Sequence, residues 1–90
     1  MNLSSKPKQK ADYHLEVLDG EALIYHLNQT KIMYCNRTAS IIWQLCQGEY
    51  TIAQIINMLS EAYPEAAETM ENDVIDTIKQ LLACESIEFG

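Results

Sequence analysis

The segment from Asn36 to Tyr63 constrains the fold more than any other part of the chain, because it contains two helix starts and one tight stop. Asn36 and Thr51 carry side-chain oxygens that accept the first free amide protons of a helix. Gly48 tolerates the left-handed turn that ends one. Apolar residues recur at helical spacing on either side of this stop: Ala39, Ile42, Trp43 and Cys46 before it, and Ile52, Ile55, Ile56 and Leu59 after it.

Three helices are predicted after residue 36. The first spans about residues 37–47 and the second about residues 52–62, where Tyr63-Pro64 ends it, since proline disfavours helical geometry in the residue before it. The third begins within residues 65–71 and runs to about residue 84. Its apolar line consists of Met70, Val74, Ile78, Leu81 and Leu82.

The part of the chain before residue 36 has the patterns of strands. Tyr13, Leu15 and Val17 alternate with polar residues, which is typical of a half-buried strand. Asp19-Gly20 is a hairpin signal. Two further strands are expected, one from Ala22 to Leu27 and one from Ile32 to Cys35, with a polar turn at residues 28–30 between them.

These patterns together predict an α+β fold, in which a three-stranded antiparallel sheet in meander order is followed by three helices. Residues 1–11 are polar and contain Pro7, so we expect a flexible N-terminal lead-in, followed by one domain over residues 12–90. Residues 86–89 are expected to form a short extended tail.

Charge argues against nucleic acid as a partner. The 90 residues carry a net charge of −7. From residue 11 onward three basic residues, Lys31, Arg37 and Lys79, face all 13 acids, a balance of −10. Such a body repels phosphate backbones, because nucleic-acid affinity comes largely from Lys and Arg that displace counterions.

The cysteines do not indicate a metal site. Cys35, Cys46 and Cys84 are far apart and form no CxxC pair, and only His14 and His26 can add to them, whereas zinc needs about four converging ligands. We therefore expect no metal, no cofactor and small buried thiols in a reducing compartment. The chain has no visible signal peptide and no apolar run of roughly 20 residues, so we expect a soluble cytoplasmic protein without membrane contact.

An ordered set of residues extends from the third strand to the third helix: Cys35-Asn36, Thr38-Ala39, Ile42-Trp43, Gly48, Thr51, Ile55 with Leu59, Tyr63 and Asp73-Val74. In its order and spacing this set resembles the PqqD-like family. These small peptide-recognition domains are named for the pyrroloquinoline quinone pathway. They are also called RiPP recognition elements, after ribosomally made, post-translationally modified peptides. The resemblance covers roughly residues 13–87, with departures at Cys35, Gln47 and Ser86.

The resemblance implies a sheet of three strands packed on three helices, similar to a winged helix-turn-helix. It also implies a protein without catalytic activity, which binds the leader segment of a precursor peptide. The bound leader is presented to a modifying enzyme, such as a radical S-adenosylmethionine protein or a leader peptidase. In this family the leader adds as a strand beside the third strand and lies against the third helix.

The third strand is the candidate peptide-binding edge, because an edge strand offers unpaired N–H and C=O groups that a peptide can complete. Its residues are Ile32, Met33, Tyr34 and Cys35. Alternation places Met33 and Cys35 on one face and Ile32 and Tyr34 on the other, so Tyr34 is free to flank a guest strand if Cys35 faces the core.

The expected opposite wall is formed by Ile75, Lys79 and Leu82 on the third helix. Ile75 and Leu82 widen the apolar stripe on one flank, and either the strands cover this flank or it forms an exposed groove wall. Lys79 is the only cation of this helix. It pairs either with a leader carboxylate or, as a solvated lysine, with Asp76 or Glu85.

Three alternatives remain. In an enzyme, Cys35 or Cys84 acts as nucleophile with His26 as base, but no spacing here indicates the activation that a nucleophile needs. A DNA-binding winged helix fits the order of elements, although the second helix contains no basic residue. The third alternative is a homodimer that pairs through the same open strand edge.

Overall fold

The structure, a computed structural model, describes residues 2–19, 21–28, 30 and 32–89. None of the helices in this part of the chain is long and apolar enough to cross a membrane. In chain order the elements are β1 (Pro7–Gln9), β2 (Tyr13–Leu18), β3 (Glu21–His26), β4 (Ile32–Cys35), α1 (Arg37–Leu45), α2 (Ile52–Ala62), a 3₁₀ turn (Pro64–Ala66), α3 (Ala67–Ala83) and β5 (Ile87–Phe89).

The strands β2, β3 and β4 form an antiparallel sheet whose spatial order follows the chain order. Leu15, Ile24 and Met33 lie opposite one another across the three strands, and all three pack into the hydrophobic core. Tyr34 lies on the other face and is 73% exposed. The predicted α+β class, with a three-stranded meander followed by three helices, is confirmed.

The hairpin between β2 and β3 lies where the sequence predicts it. Leu18 pairs with Glu21, which leaves two residues for the connection. Asp19 has a φ of 52°, as the first position of a tight hairpin turn requires. Gly20, the other half of the predicted turn, lies outside the described residues, as does Gln29 of the predicted second turn.

The caps of α1 and α2 confirm the predicted helix starts. The Asn36 side chain accepts a hydrogen bond from the N–H of Ala39 at 2.7 Å. Thr51 and Gln54 form a reciprocal capping box, in which each side chain accepts a hydrogen bond from the other residue's backbone N–H. Because both motifs connect residues three apart, their sequence signals are strong enough to locate the helices.

Helix α1 ends two residues earlier than expected. The chain leaves the helix after Leu45, because the carbonyl of Cys46 accepts a hydrogen bond from the N–H of Gln9 in β1 (2.9 Å). Gln47 forms a β-bridge with Lys8 of the same strand. Gly48 then takes a φ of 78°, the left-handed conformation expected at this stop.

The described part of the N-terminal segment contains a strand and pairs with the rest of the domain, which differs from the flexible lead-in predicted over residues 1–11. Strand β1 pairs antiparallel with β5, and its proline is fully buried. The carbonyls of Ser5 and Leu3 accept hydrogen bonds from the N–H groups of Ile52 and Ala53 (3.0 Å each). These first amides of a helix have no partner inside it, so the N-terminal segment supplies the acceptors. Strand β1 is therefore part of the folded domain.

The core lies between the inner face of the sheet and the three helices. Trp43 is 5% exposed and belongs to the core, as expected. Its Nε1 atom has no hydrogen-bond partner in the described part of the chain. Residues from every helix and from two strands complete the cluster: Ile24, Ile42, Cys46, Ile52, Ile55, Leu59, Met70, Val74, Ile78, Leu81 and Ile87.

Candidate functional site

Strand β4 is the outermost strand of its sheet. One side pairs with β3, with Tyr34 opposite Leu23 and Met33 opposite Ile24. No strand within the described ranges pairs with the other side. Alternate residues of an antiparallel edge strand direct their N–H and C=O groups outwards, so this edge can accept a further strand.

The two faces of β4 differ in exposure as the alternation predicts. Ile32 and Tyr34 are 57% and 73% exposed on the outer face. Met33 and Cys35 are half-buried and pack against the core. The strand therefore has an inner face held by the helices and an outer face with two large accessible side chains.

A cleft of about 320 Å³ lies beside the start of β4, where the strand approaches the last turn of α3. We call it the apolar cleft, because aliphatic, aromatic and sulfur-containing side chains dominate its wall. Its lining consists of Tyr13, Ile24, Thr30, Ile32, Met33, Ala83, Cys84 and Ser86. Its size and composition suit one apolar side chain of a ligand.

A second cleft of about 300 Å³ lies beyond the end of β4, and we call it the polar cleft. Its lining consists of Asn36, Thr38, Asp73, Asp76, Thr77 and Gln80. No Lys or Arg occurs among these described lining residues, so the cleft is acidic. The Asp73 carboxylate accepts one hydrogen bond, from the hydroxyl of Thr69 at 3.3 Å. Both clefts lie along α3 and adjoin the two ends of β4, so together we call them the groove.

The groove wall on α3 is not the expected one. The flank beside β4 carries Asp73, Thr77, Gln80 and Cys84. The predicted apolar wall residue Ile75 lies two positions from Asp73 and from Thr77. Leu82 lies two positions from Gln80 and from Cys84. Two positions turn an α-helix by about 200°, so the predicted residues lie on the opposite side.

None of the predicted wall residues Ile75, Lys79 and Leu82 lines either cleft, and their contact with a ligand stays a prediction. Leu82 packs against the core, which explains its place in the widened apolar stripe without a ligand. Lys79 is exposed and lines neither cleft, but it lies three positions after Asp76 and four before Ala83, so it borders the cleft side of α3. The apolar flank of the helix serves packing, and the groove uses the more polar flank.

The end of α3 is closed by a turn that fixes the apolar cleft. Glu85 adopts a left-handed φ of 60°, and the N–H of Ser86 donates a hydrogen bond to the carbonyl of Leu81 at 3.1 Å. The buried hydroxyl of Ser86 donates to the same carbonyl, also at 3.1 Å. These bonds hold Cys84 in its position at the cleft.

The Cys35 thiol and the imidazole of His26, one of the two nucleophile and base pairs considered from the sequence, lie apart on the sheet. Burial raises the pKa of the Cys35 thiol above its usual value, and nearby Cys84 raises it further. Cys35 lies opposite Ala22, which is four residues, or about 13 Å, along β3 from His26. The Nδ1 atom of His26 accepts the N–H of Asn28 at 2.9 Å. No group of three His, Cys, Asp or Glu in the described ranges is arranged to hold a metal ion.

The residues of β4 were predicted as peptide contacts, whereas the cleft-lining flank of α3 was not among the predictions. A signal for the flank exists, because positions 73, 76, 77, 80, 83 and 84 recur at helical spacing and form a continuous stripe of small and polar residues. Such a stripe is normally interpreted as a solvated helix face. Only the placement of β4 beside it shows that it lines a groove.

The comparisons with known proteins agree with this architecture. A solved structure entitled "TbiB1 in Complex with the TbiA(beta) Leader Peptide" has the same fold, with a TM-score of 0.73 and 22% sequence identity. The superposition covers 90% of this chain and 94% of that one. No curated protein sequence matches the chain. The family model described as "Coenzyme PQQ synthesis protein D (PqqD)" matches residues 21–87, well over half of the sequence, so the chain belongs to the PqqD family.

Proposed function

We propose that this protein binds an extended peptide as an additional strand on the open side of β4, with side chains of the peptide directed into the groove. The observation that carries the proposal is the position of this open edge directly beside the two clefts of α3. In such binding, backbone hydrogen bonds to the edge provide affinity, and the clefts provide selectivity.

The outer face of β4 contributes to the same site. Ile32 and Tyr34 are large and exposed, so each can form a cross-strand pair with a residue of the guest strand. Aromatic and β-branched pairs of this kind contribute roughly 0.2–1 kcal/mol each. The four strand residues Ile32, Met33, Tyr34 and Cys35 thus remain the proposed peptide contacts, together with the groove flank of α3.

We further propose that the guest is the leader segment of a ribosomally made precursor peptide. Membership of the PqqD family supports this identity. Similarity of fold to TbiB1, a protein that was solved in complex with a leader peptide, is a second support.

The proposed role is presentation rather than catalysis. The protein holds the leader in the cytoplasm for a peptide-modifying enzyme, such as a radical S-adenosylmethionine protein or a leader peptidase, as the family resemblance implies. A guest strand on β4 occupies one edge of the sheet and leaves the opposite edge, formed by β2, accessible to the enzyme.

Amide chemical-shift mapping tests the binding proposal. Synthetic peptides that tile the start of a short peptide encoded beside this protein's gene are added to the ¹⁵N-labelled protein. We expect shifts at residues 33–36 and along residues 77–84. A control peptide with prolines at alternate positions should not bind, since proline lacks the N–H that completes a strand pair. Shifts confined to α2 or to the β2 edge would contradict the proposal.

A homodimer is the second candidate, because the edge that accepts a guest strand also accepts the same strand of another copy. The exposure of Ile32 and Tyr34 beside this edge favours it. Sedimentation equilibrium measures the association, and the bound peptide should then dissociate the dimer. A dimer that persists at saturating peptide would show that the two interactions use different surfaces.

A further inference from the structure

We propose that the guest strand carries a basic side chain for the polar cleft and, two or four residues after it, an apolar side chain for the apolar cleft. This inference rests on the proposed peptide binding and specifies the chemistry of the peptide. It follows from three features of the groove: the charge at one end, the apolar lining at the other, and the distance between them.

The charge at the end of β4 selects the basic side chain. Asp73 and Asp76 line the polar cleft, and no cation lines it among the residues that the structure describes. Thr77 and Gln80 add polar groups to the same wall. A Lys or Arg of the guest strand is attracted to this cleft, whereas a Glu or Asp is repelled.

The lining at the start of β4 selects the apolar side chain. Met33, Ala83 and Cys84 offer methyl, methylene and thiol groups to the apolar cleft. A charged group placed there loses hydration without a charged partner, which is costly. The two ends of the groove therefore have different preferences, and the guest strand must satisfy both.

The distance between the clefts sets the spacing of the two side chains. On α3, the apolar cleft is lined by Ala83 and the polar cleft by Asp76, seven residues or about 10 Å apart along the helix axis. On the strand side, Met33 and Asn36 are three residues or about 10 Å apart. Guest side chains that face α3 recur every second residue, so two of them lie about 7 or 13 Å apart along the strand. The long side chain of a Lys or Arg spans the difference between either spacing and the separation of the clefts.

The direction of the guest strand sets the order of the two side chains. An antiparallel guest begins near Asn36 and ends near Ile32, so its basic residue precedes its apolar residue. Antiparallel pairing is slightly more stable per residue than parallel pairing, which favours this order. A peptide with the reverse order would require parallel addition.

Selection from a displayed library of random linear peptides tests the inference with the 90-residue chain as bait. We expect the peptides recovered on the wild type to be enriched in Lys or Arg two or four positions before an apolar residue. On Asp73→Asn/Asp76→Asn the basic preference should disappear while the apolar one stays. The amide oxygen of an asparagine at position 73 can still accept the hydrogen bond of Thr69, so the fold is retained.

The matched control is Glu68→Gln/Glu71→Gln, which removes the same charge from exposed residues of α3 that line neither cleft. A recovered peptide should bind the Asp73→Asn/Asp76→Asn variant about 3- to 10-fold more weakly, and the control with unchanged affinity. Added salt should reduce this difference.

The outcomes separate the two levels of the proposal. Peptides that shift the β4 amides but show no basic preference would overturn the inference and leave strand addition intact. Equal weakening by the two double variants, or an apolar-before-basic order, would also overturn it. A library that yields no peptide acting at β4 would overturn the proposed function together with the inference.

Discussion

The hydroxyl of Tyr13 donates a hydrogen bond to the backbone carbonyl of Cys84 at 3.1 Å. This bond connects the first residue of β2 with the residue that ends α3, across the floor of the apolar cleft. It fixes the distance between the sheet and the helix at one end of the groove, so a single side-chain contact helps to set the width of the site.

Tyr13→Phe removes this bond and retains the ring. We expect a loss of about 1 kcal/mol in the free energy of unfolding, which is typical of one intramolecular hydrogen bond, measured by urea denaturation. The control is Tyr34→Phe, whose hydroxyl lies on a 73% exposed side chain and should not affect stability. Equal effects of the two substitutions would contradict the assigned role of Tyr13.

Deletion of residues 2–10 tests the structural role of the N-terminal segment. It removes β1, the two acceptors for the start of α2 and a buried proline. At roughly 0.5–1.5 kcal/mol for each lost hydrogen bond, we expect destabilisation by about 3 kcal/mol or more. Lys6→Ser changes an exposed residue of the same segment and should leave the unfolding midpoint unaltered. A truncated protein of wild-type stability would mean that the segment is dispensable.

Substitution of Trp43 tests the contribution of its side chain to the packing of the hydrophobic core. Trp43→Ala should cost about 3–5 kcal/mol, enough to unfold much of a small domain, as thermal denaturation followed by circular dichroism would show. Trp43→Phe should cost clearly less, because the indole Nε1 has no hydrogen-bond partner in the described structure and only volume is lost. If both variants stayed fully stable and only peptide binding were lost, Trp43 would belong to the site instead.

The groove wall can be separated from the packing flank by substitution on α3. Ala83→Glu introduces a charge at an exposed position of the apolar cleft and should abolish peptide binding at little cost in stability. Leu82→Asp should instead destabilise the fold, because Leu82 packs against the core. Ile75 lines neither cleft, so Ile75→Asp should leave the peptide affinity unchanged. Isothermal titration calorimetry alongside urea denaturation distinguishes the three results.

The buried thiol of Cys46 makes the free energy of unfolding fall as the pH rises through the alkaline range. Its thiol is fully buried and donates a hydrogen bond to the carbonyl of Ile42 at 3.1 Å, and burial raises its pKa from 9.0 to about 12. Between these values the unfolded chain has lost this proton and the folded chain retains it. The stabilisation is therefore complete below pH 9 and is lost as the pH rises towards 12, by up to about 1.4 kcal/mol per pH unit.

The measurement for Cys46 is the urea midpoint between pH 8 and pH 11. Cys46→Ala should be less stable at pH 8 because of the cavity it leaves, and its decline at higher pH should be shallower than that of the wild type. Cys84→Ala provides a thiol control outside the buried core. Parallel pH profiles of the wild type and the Cys46 variant would count against this account.

The sequence by itself determined the elements that depend on local interactions. The caps at Asn36 and Thr51 connect neighbours three residues apart, and the stop at Gly48 depends on the conformation of one residue. The two faces of β4 follow from the alternation of a strand. These signals were therefore sufficient for the order of elements from β2 to α3, and for the candidate edge.

Only the tertiary structure decided which flank of α3 faces that edge and where the first strand lies. An apolar flank has the same sequence pattern whether it packs on the core, as Leu82 does, or lines a groove. The pairing of β1 with β5 joins the two ends of the chain, so no local pattern announces it. Both features depend on how distant segments meet, which is a property of the packed core rather than of any short stretch of residues.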